Sequence, residues 1–451
     1  MNTLYRRMIA WCVAAVVAIG AGASAEAAIA DHVTRIKASG VDLLTYPMGA
    51  KDVVTIVGAF PAGDYFSALP GSNPAIATLT GMMLDKGTTH RDKFAIAKEL
   101  DDVGATLGFD VSTQSVGVRG KALKKDVPLI IRIMAEELRE PAFSAEEFAK
   151  VKKQFIGMMR PAQESPGFRA RESFLLSMYP AGSPNRPVPL QEMLAAADKA
   201  TLDEVKAFYR KYYGPAHFTL VFVGDVDTKS IQSSVTKAFA GWSGGTDDVR
   251  RAPAAHLAAA EDHKVPIADK PSVSLTLGQP TGLRYTDADT LPLRVGTAIL
   301  GSGFTSRLMG TVRDKEGLTY GISSSVGDDE FVDGTWSIGA TFAPALLEKG
   351  ITSTQRELQK WWESGVTAQE LVERKTNMIG TYEVSLSTTN GMAGQILLTL
   401  ERGKPLSWLD DLPKALNSLT AAQVNGVIRK YLDPKKMVMI QAGSLEEQDK
   451  K

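Results

Sequence analysis

Cysteine is almost missing from this chain of 451 residues, and the single one, Cys12, falls within the first thirty positions. The remainder therefore offers no disulfide, no thiolate metal site and no cysteine nucleophile. Histidine is scarce as well. Among His32, His90, His217, His256 and His263, no two stand three or four residues apart, so no helical pair is available to seat a metal. An excess of one charge is absent too, since Lys+Arg and Asp+Glu both number 51. That balance gives no argument for nucleic acid or for an anionic membrane surface as partner. Beyond residue 30, no apolar run is long enough to cross a bilayer.

The first thirty residues differ in kind. Arg6 and Arg7 precede an uncharged run from Met8 to Ala25, and Ala23, Ser24 and Ala25 form a small-residue cleavage pattern. This reads as a secretory signal over residues 1–25, with the periplasm as destination and no membrane attachment after cleavage. The competing reading is a membrane anchor, for which the strongly apolar part, residues 8–21, is short.

A chain of this length exceeds what one hydrophobic core sustains, and self-comparison shows how it is divided. Residues 144–157 (SAEEFAKVKKQFIG) match residues 367–380 (TAQELVERKTNMIG), and residues 201–226 match residues 420–445. The two offsets, 223 and 219, differ by little, as a tandem duplication with a small net deletion requires. Residues 26–242 and 272–446 are then two homologous domains. Residues 243–271, rich in Gly, Ala, Pro and charge, suit a linker.

Each copy reads as mixed α and β. Short apolar runs such as DVVTIVGAF, HFTLVFVG, SVSLTLGQ and MVMIQAG predict strands; longer periodic stretches such as DVPLIIRIMAEELRE and LLEKGITSTQRELQKWWES predict helices. Ser144 and Thr367 stand at N-cap positions with Glu147 and Glu370 three residues on, the capping-box spacing. The expected architecture is α+β: two tandem domains, each a mixed sheet with helices packed on one face.

The stretch SRLMGTVRDKEGLTYGISSS, residues 306–325, predicts a helix ended by Gly317 and then a strand in which Leu318, Tyr320 and Ile322 share a face. A reversal of that kind can aim Arg313 and Tyr320 into one space. Two bland readings stand beside it: a surface pair between Arg313 and Glu316, and a core role for Tyr320. Just upstream, Gly301, Ser302 and Gly303 form a small-residue loop that either admits a peptide backbone or merely connects two elements. No phosphate-binding Gly-x-x-x-x-Gly-Lys pattern follows it, and Ser323–Ser325 have no histidine base nearby in sequence.

The repeat, together with Ser306–Arg307–Leu308, Arg313, Gly317–Leu318 and Tyr320, resembles the insulinase/pitrilysin family of inverzincin metallopeptidases. The similarity is to the two-domain, processing-peptidase-like type and spans nearly the whole mature chain. Catalytic members of that family carry His-x-x-Glu-His before a segment like MLDKGT, which here is residues 83–88. Thr78, Gly81 and Met82 stand where His, Glu and His would be, and the position of a third ligand, near residues 157–159, has no carboxylate. Glycine offers a zinc ion nothing, a thioether is too soft, and no base remains to deprotonate water. His90, the nearest histidine, reads as a surface residue. No cofactor is therefore expected in this chain.

The resemblance further implies that Arg313 and Tyr320 bind the substrate backbone and stabilise the tetrahedral intermediate, with Gly301, Ser302 and Gly303 in the substrate-binding surface. Such donors would be idle without a metal and a base. The expectation is a non-catalytic subunit of a heterodimeric periplasmic zinc endopeptidase, whose homologous partner carries His-x-x-Glu-His and the zinc, and whose substrate is a peptide. The alternative is an inert peptide-binding or scaffold protein of the same fold.

Overall fold

The computed structural model describes residues 28–246 and 262–445. The expected signal segment, residues 1–25, lies outside the described residues, as do residues 247–261 of the expected linker.

The first copy builds a six-stranded sheet from β1 (Thr34–Ala38), β2 (Val41–Pro47), β3 (Val53–Pro61), β4 (Thr106–Val111), β5 (Ser115–Leu123) and β6 (Thr219–Gly224), in the order β1-β2-β6-β3-β5-β4. The second copy builds five strands, β7 (His263–Pro266), β8 (Val273–Pro280), β9 (Thr319–Gly327), β10 (Thr335–Phe342) and β11 (Val438–Gly443), in the order β7-β11-β8-β10-β9. The duplication is visible in this order. β6-β3-β5-β4 repeats as β11-β8-β10-β9, and the parallel pair β2–β6 repeats as β7–β11.

β7 corrects the expected linker, residues 243–271, of which His263–Pro266 belong to the second sheet. His263–Pro266 is short, mostly exposed and without apolar alternation, because as an edge strand it is held by backbone pairing to β11 rather than by side-chain burial.

Besides a single turn at Ile29–His32, the helices of the first copy are α1 (Ile76–Met83), α2 (Lys93–Asp101), α3 (Val127–Arg139), α4 (Ala145–Met159), α5 (Pro166–Met178), α6 (Leu190–Lys199), α7 (Leu202–Tyr212) and α8 (Thr228–Ala238). The second copy has α9 (Thr290–Gly301), α10 (Leu347–Ser364), α11 (Ala368–Leu386), α12 (Thr389–Glu401), α13 (Trp408–Ser418) and α14 (Ala421–Tyr431). The N-caps follow the sequence with one instructive difference. Thr367 and Glu370 complete a reciprocal capping box on α11. Ser144 caps α4, but Glu147 does not return the bond, since its carboxylate takes Lys93 at 2.7 Å and Lys150 at 2.9 Å.

Helices of each copy cover one face of their own sheet; the other face is covered by a helix from the other copy. α12 lays Met392, Ala393 and Ile396 on Leu44, Val57, Val221 and Val223 of the first sheet. In return α5 lays Ala170, Phe174 and Met178 on Val438, Ile440 and Ala442 of β11. Thr55 on β3 bonds Thr389 at the start of α12 at 2.8 Å, which ties the exchange at its polar end. The strands read as unbroken apolar runs because both of their faces are buried.

Truncating Ile396, which is fully buried, to alanine is expected to destabilise the protein by about 2–5 kcal/mol in urea titration. Hydrogen exchange should then quicken in β3 and β6, strands of the copy that does not contain the residue. Quickening confined to the second copy would contradict the exchange of helices.

Candidate functional site

The quoted helix–strand segment departs from regular geometry twice, and each departure moves one of the two donors. From Met309 to Lys315 the helix widens into π geometry, with the Glu316 N–H donating five residues back to the Thr311 carbonyl at 3.0 Å. The expected stop is where the sequence puts it: Gly317 has φ +62°, and the next N–H, of Leu318, donates to the Val312 carbonyl at 2.9 Å. A π-turn inserts a residue and re-aims the side chains that follow.

The strand carries the second irregularity. β9 pairs Ile322 with Ala340 but Thr319 with Phe342, so Tyr320 and Gly321 together oppose Thr341. This is a β-bulge, pinned by the Thr319 hydroxyl, which donates to the Thr341 carbonyl at 2.6 Å and accepts from the Gly321 N–H at 3.1 Å. Simple alternation places Tyr320 on the face of the buried Ile322. The bulge turns it out, and Tyr320 is 89% exposed.

The two donors meet. The Arg313 guanidinium carbon lies 5.1 Å from the centre of the Tyr320 ring and 5.2 Å from that of Phe304, itself largely exposed. Among the described residues the Arg313 guanidinium makes no hydrogen bond, and its nearest carboxylate is Asp314 at 3.8 Å. The Tyr320 hydroxyl makes none either. The surface-pair reading of Arg313 does not hold, because Glu316 is bonded to Arg356. The core reading of Tyr320 fails on its exposure.

Arg307 shows the contrast. Its Nε and Nη2 grip both oxygens of Glu370 at 2.6 and 2.7 Å, and Nη2 also reaches the Gly365 carbonyl at 2.8 Å. Burial alone would raise the Glu370 carboxyl. The Arg307 bond and the Thr367 backbone and hydroxyl outweigh it and hold Glu370 down at about 2. Arg307 fastens the segment to α11; Arg313 is left unused.

Gly301, Ser302 and Gly303 run from the end of α9 toward Phe304. A Cβ on Gly301 would fall 2.4 Å from the Ser324 backbone nitrogen, so only glycine lets α9 end against β9. A cavity of about 530 Å³ opens beside this loop, between α5 and the face of β8, β10 and β9. Gly301, Gly303, Phe304 and Gly321 line it, over a floor of Ser, Thr and Gly. Arg313 and Tyr320 are not in its wall; they adjoin it through Phe304 and Gly321. Phe304 is the residue that sequence reasoning passed over, although an aromatic directly after Gly-Ser-Gly was the available signal.

The first copy presents the other half of the question. Thr78, Gly81 and Met82 all lie on α1. The Thr78 hydroxyl donates to Asp64 Oδ1 at 2.6 Å. A Cβ on Gly81 would fall 2.3 Å from a methyl of Val111 on β4, so the space a longer side chain would need is filled. Gly157 and Met158, where a third ligand was expected, are exposed on α4. No three His, Cys, Asp or Glu side chains gather into a metal-holding group among the described residues. His90 bonds Glu140 at 2.5 Å on the surface. The residues present do not fit a zinc centre.

Burial pushes the Asp64 carboxyl up to about 6, against the two Thr78 hydrogen bonds that favour its charge. The folded state thus holds a proton on Asp64 that the unfolded chain releases near pH 4, so this residue makes stability fall as pH rises from about 4 to 6. Asp64→Asn, which keeps the oxygen that accepts from Thr78, should be more stable than the parent by about 1–3 kcal/mol at pH 7.5. The gain should vanish below pH 4, as read by urea titration across pH. An equal gain at both ends would show that charge burial is not the cause.

Known proteins share the sequence pattern and the fold. Residues 70–183 match the model for insulinase (peptidase family M16), and residues 199–378 match the peptidase M16 inactive domain. An uncharacterized zinc protease of Streptomyces coelicolor is 26% identical over 358 residues, 78% of this chain and 76% of its own length. The non-peptidase homolog YmxG of Helicobacter pylori is 22% identical over 367 residues, 79% of this chain and 82% of its own. Among solved structures, a peptidase M16 inactive domain from Pseudomonas fluorescens superposes with TM-score 0.82 at 24% identity, covering 91% of this chain and 97% of that one. The periplasmic protease PqqL of Escherichia coli superposes with TM-score 0.76 at 15% identity, covering 92% of this chain and 46% of that one. The two family matches together take in more than half of the sequence, one of them to a domain described as inactive, and the chain belongs to the M16 insulinase family of peptidases.

Proposed function

We propose that this protein is the non-catalytic subunit of a heterodimeric zinc endopeptidase, exported to the periplasm. In this reading a homologous partner with an intact His-x-x-Glu-His motif holds the zinc and activates the water. This chain contributes Arg313 and Tyr320, with the loop of Gly301, Ser302 and Gly303 beside the bound peptide. One observation carries it: a half-buried Arg313 and an exposed Tyr320 are brought together with their donors unused, in a chain whose own metal positions are filled by other contacts.

The chemistry suits the two groups. A guanidinium and a phenol both donate without first losing a proton, and a tetrahedral intermediate gathers negative charge on one oxygen. Donors fixed in advance at that oxygen stabilise it more than the ground-state carbonyl, which lowers the barrier rather than merely tightening binding. The π-turn and the bulge are the devices that would fix them, because backbone irregularities hold a side chain's origin in place at no cost to its tip. Export is supported by Arg6, Arg7 and the apolar run that follows them.

An inert peptide-binding or scaffold protein of the same fold is the second reading, favoured by the filled metal positions. It gives no role to two unused donors.

Mixed with the zinc-bearing partner, the Arg313→Ala, Tyr320→Phe double variant should assemble normally and lose about 10²–10³ in kcat on a fluorogenic unstructured peptide. Full turnover in that mixture would remove the proposed role. The chain alone, after dialysis, should carry only traces of zinc by elemental analysis and cleave no peptide. Stoichiometric metal together with cleavage would overturn the subunit reading.

A further inference from the structure

Beneath the loop that carries Phe304 lies a buried guanidinium with no carboxylate. Arg374 on α11 is 9% exposed. Its Nη2 donates to the Ser302 carbonyl at 2.7 Å and its Nη1 to Asn377 Oδ1 at 3.3 Å. Among the described residues no Asp or Glu stands within ion-pair distance of it, and burial lowers its pKa from the ordinary arginine value. A buried cation without a counter-ion is costly and needs another source of negative potential. That source is the end of α9: Ser302 is its C-cap, where unpaired carbonyls concentrate the negative pole of the helix.

The duplication provides an internal control. The match of residues 144–157 to 367–380 sets Val151 opposite Arg374. Val151 is buried as deeply, and α4 packs on α1 as α11 packs on α9. Packing this pair of helices therefore does not require a guanidinium. The second copy adds what a guanidinium can hold, a loop leaving the helix end. Gly303 turns that loop at φ +78°, the Ser306 hydroxyl holds the Gly303 carbonyl at 2.8 Å, and Phe304 follows with its ring 5.2 Å from Arg313.

We propose that Arg374 is a positioning residue for the Arg313–Tyr320 pair. By gripping the Ser302 carbonyl it fixes the direction in which the loop leaves α9, and so keeps Phe304 against the Arg313 guanidinium. This rests on the reading that Arg313 and Tyr320 act on a substrate held with the partner chain.

The test uses full-length chain, alone and mixed with the zinc-bearing partner. Arg374→Val borrows the residue of the first copy and is expected to fold; Arg374→Lys keeps one donor for the Ser302 carbonyl. In the isolated chain, Arg374→Val should speed hydrogen exchange at residues 302–305 and leave the sheets unchanged. In the mixture, Arg374→Val and Phe304→Ala should each lower kcat by about ten- to a hundredfold with KM little altered. The double variant should be no slower than the slower single one, since both act through the same ring. Arg374→Lys should recover part of the loss. Wild-type kcat in Arg374→Val, while Arg313→Ala, Tyr320→Phe abolishes turnover, would overturn the positioning role and leave the subunit reading intact. Exchange that rises uniformly along the chain, or kcat losses that multiply in the double variant, would overturn it as well. Full turnover of Arg313→Ala, Tyr320→Phe would instead remove the reading on which it rests.

Discussion

Everything in this molecule depends on sealing two sheets that are apolar on both faces. In each copy one sheet face is covered by a helix of the other. The first keeps Leu44, Val57, Val221 and Val223 pointing away from its own helices, and the second does the same with Val438, Ile440 and Ala442. Exposed, such rows would be aggregation templates. Exchange of α5 and α12 between the copies buries both at once. It also explains why a duplicated chain stays one body: separating the copies would strip a face from each sheet, so their relative placement follows from the same burial that folds them.

Within that frame the two copies have diverged in opposite directions. In the first, α1 and β4 close on each other. Val111 occupies the space beside Gly81, and Asp64 takes the hydroxyl of Thr78, so polar and apolar groups alike are satisfied locally. In the second, α9 packs along β9, with Gly301 against the Ser324 nitrogen and the Ser324 hydroxyl donating to the Thr297 carbonyl at 2.8 Å, while the π-turn and the bulge set Arg313 and Tyr320 beyond that junction. Saturated contacts describe a structural junction. In the second copy Arg313 and Tyr320 keep unsaturated donors beside a cavity.

How much of this could be read from residues alone varies with the kind of force. The repeat, the strand runs and the helix caps were readable, because burial and capping act over a few positions and leave periodic marks. Gly317 was readable for the same reason. β7 was not, since an edge strand paired only through its backbone leaves no apolar signature in His263–Pro266. The outward turn of Tyr320 was not either. A single inserted residue reverses the parity of a strand, and nothing in LTYGISSSV marks where it sits. Arg374 stood in plain view beside Val151 in the aligned repeats, but its meaning depends on a carbonyl 72 positions away.

The fate of the two arginines in residues 306–325 follows from the same logic. A guanidinium has five donors in a rigid fork, and a folded chain uses them wherever acceptors are near. Arg307 finds three acceptor oxygens on α11 and the turn before it, and becomes a fastening. Arg313, six residues on, would lie about 120° round the axis from Arg307 even in a regular helix; it sits in the π-turn beside two aromatic rings, which are not competing acceptors. Rings attract the cation without consuming its N–H groups. Helix phase keeps Arg313 away from the acceptors that Arg307 takes, and the aromatic neighbours hold it where its donors stay free.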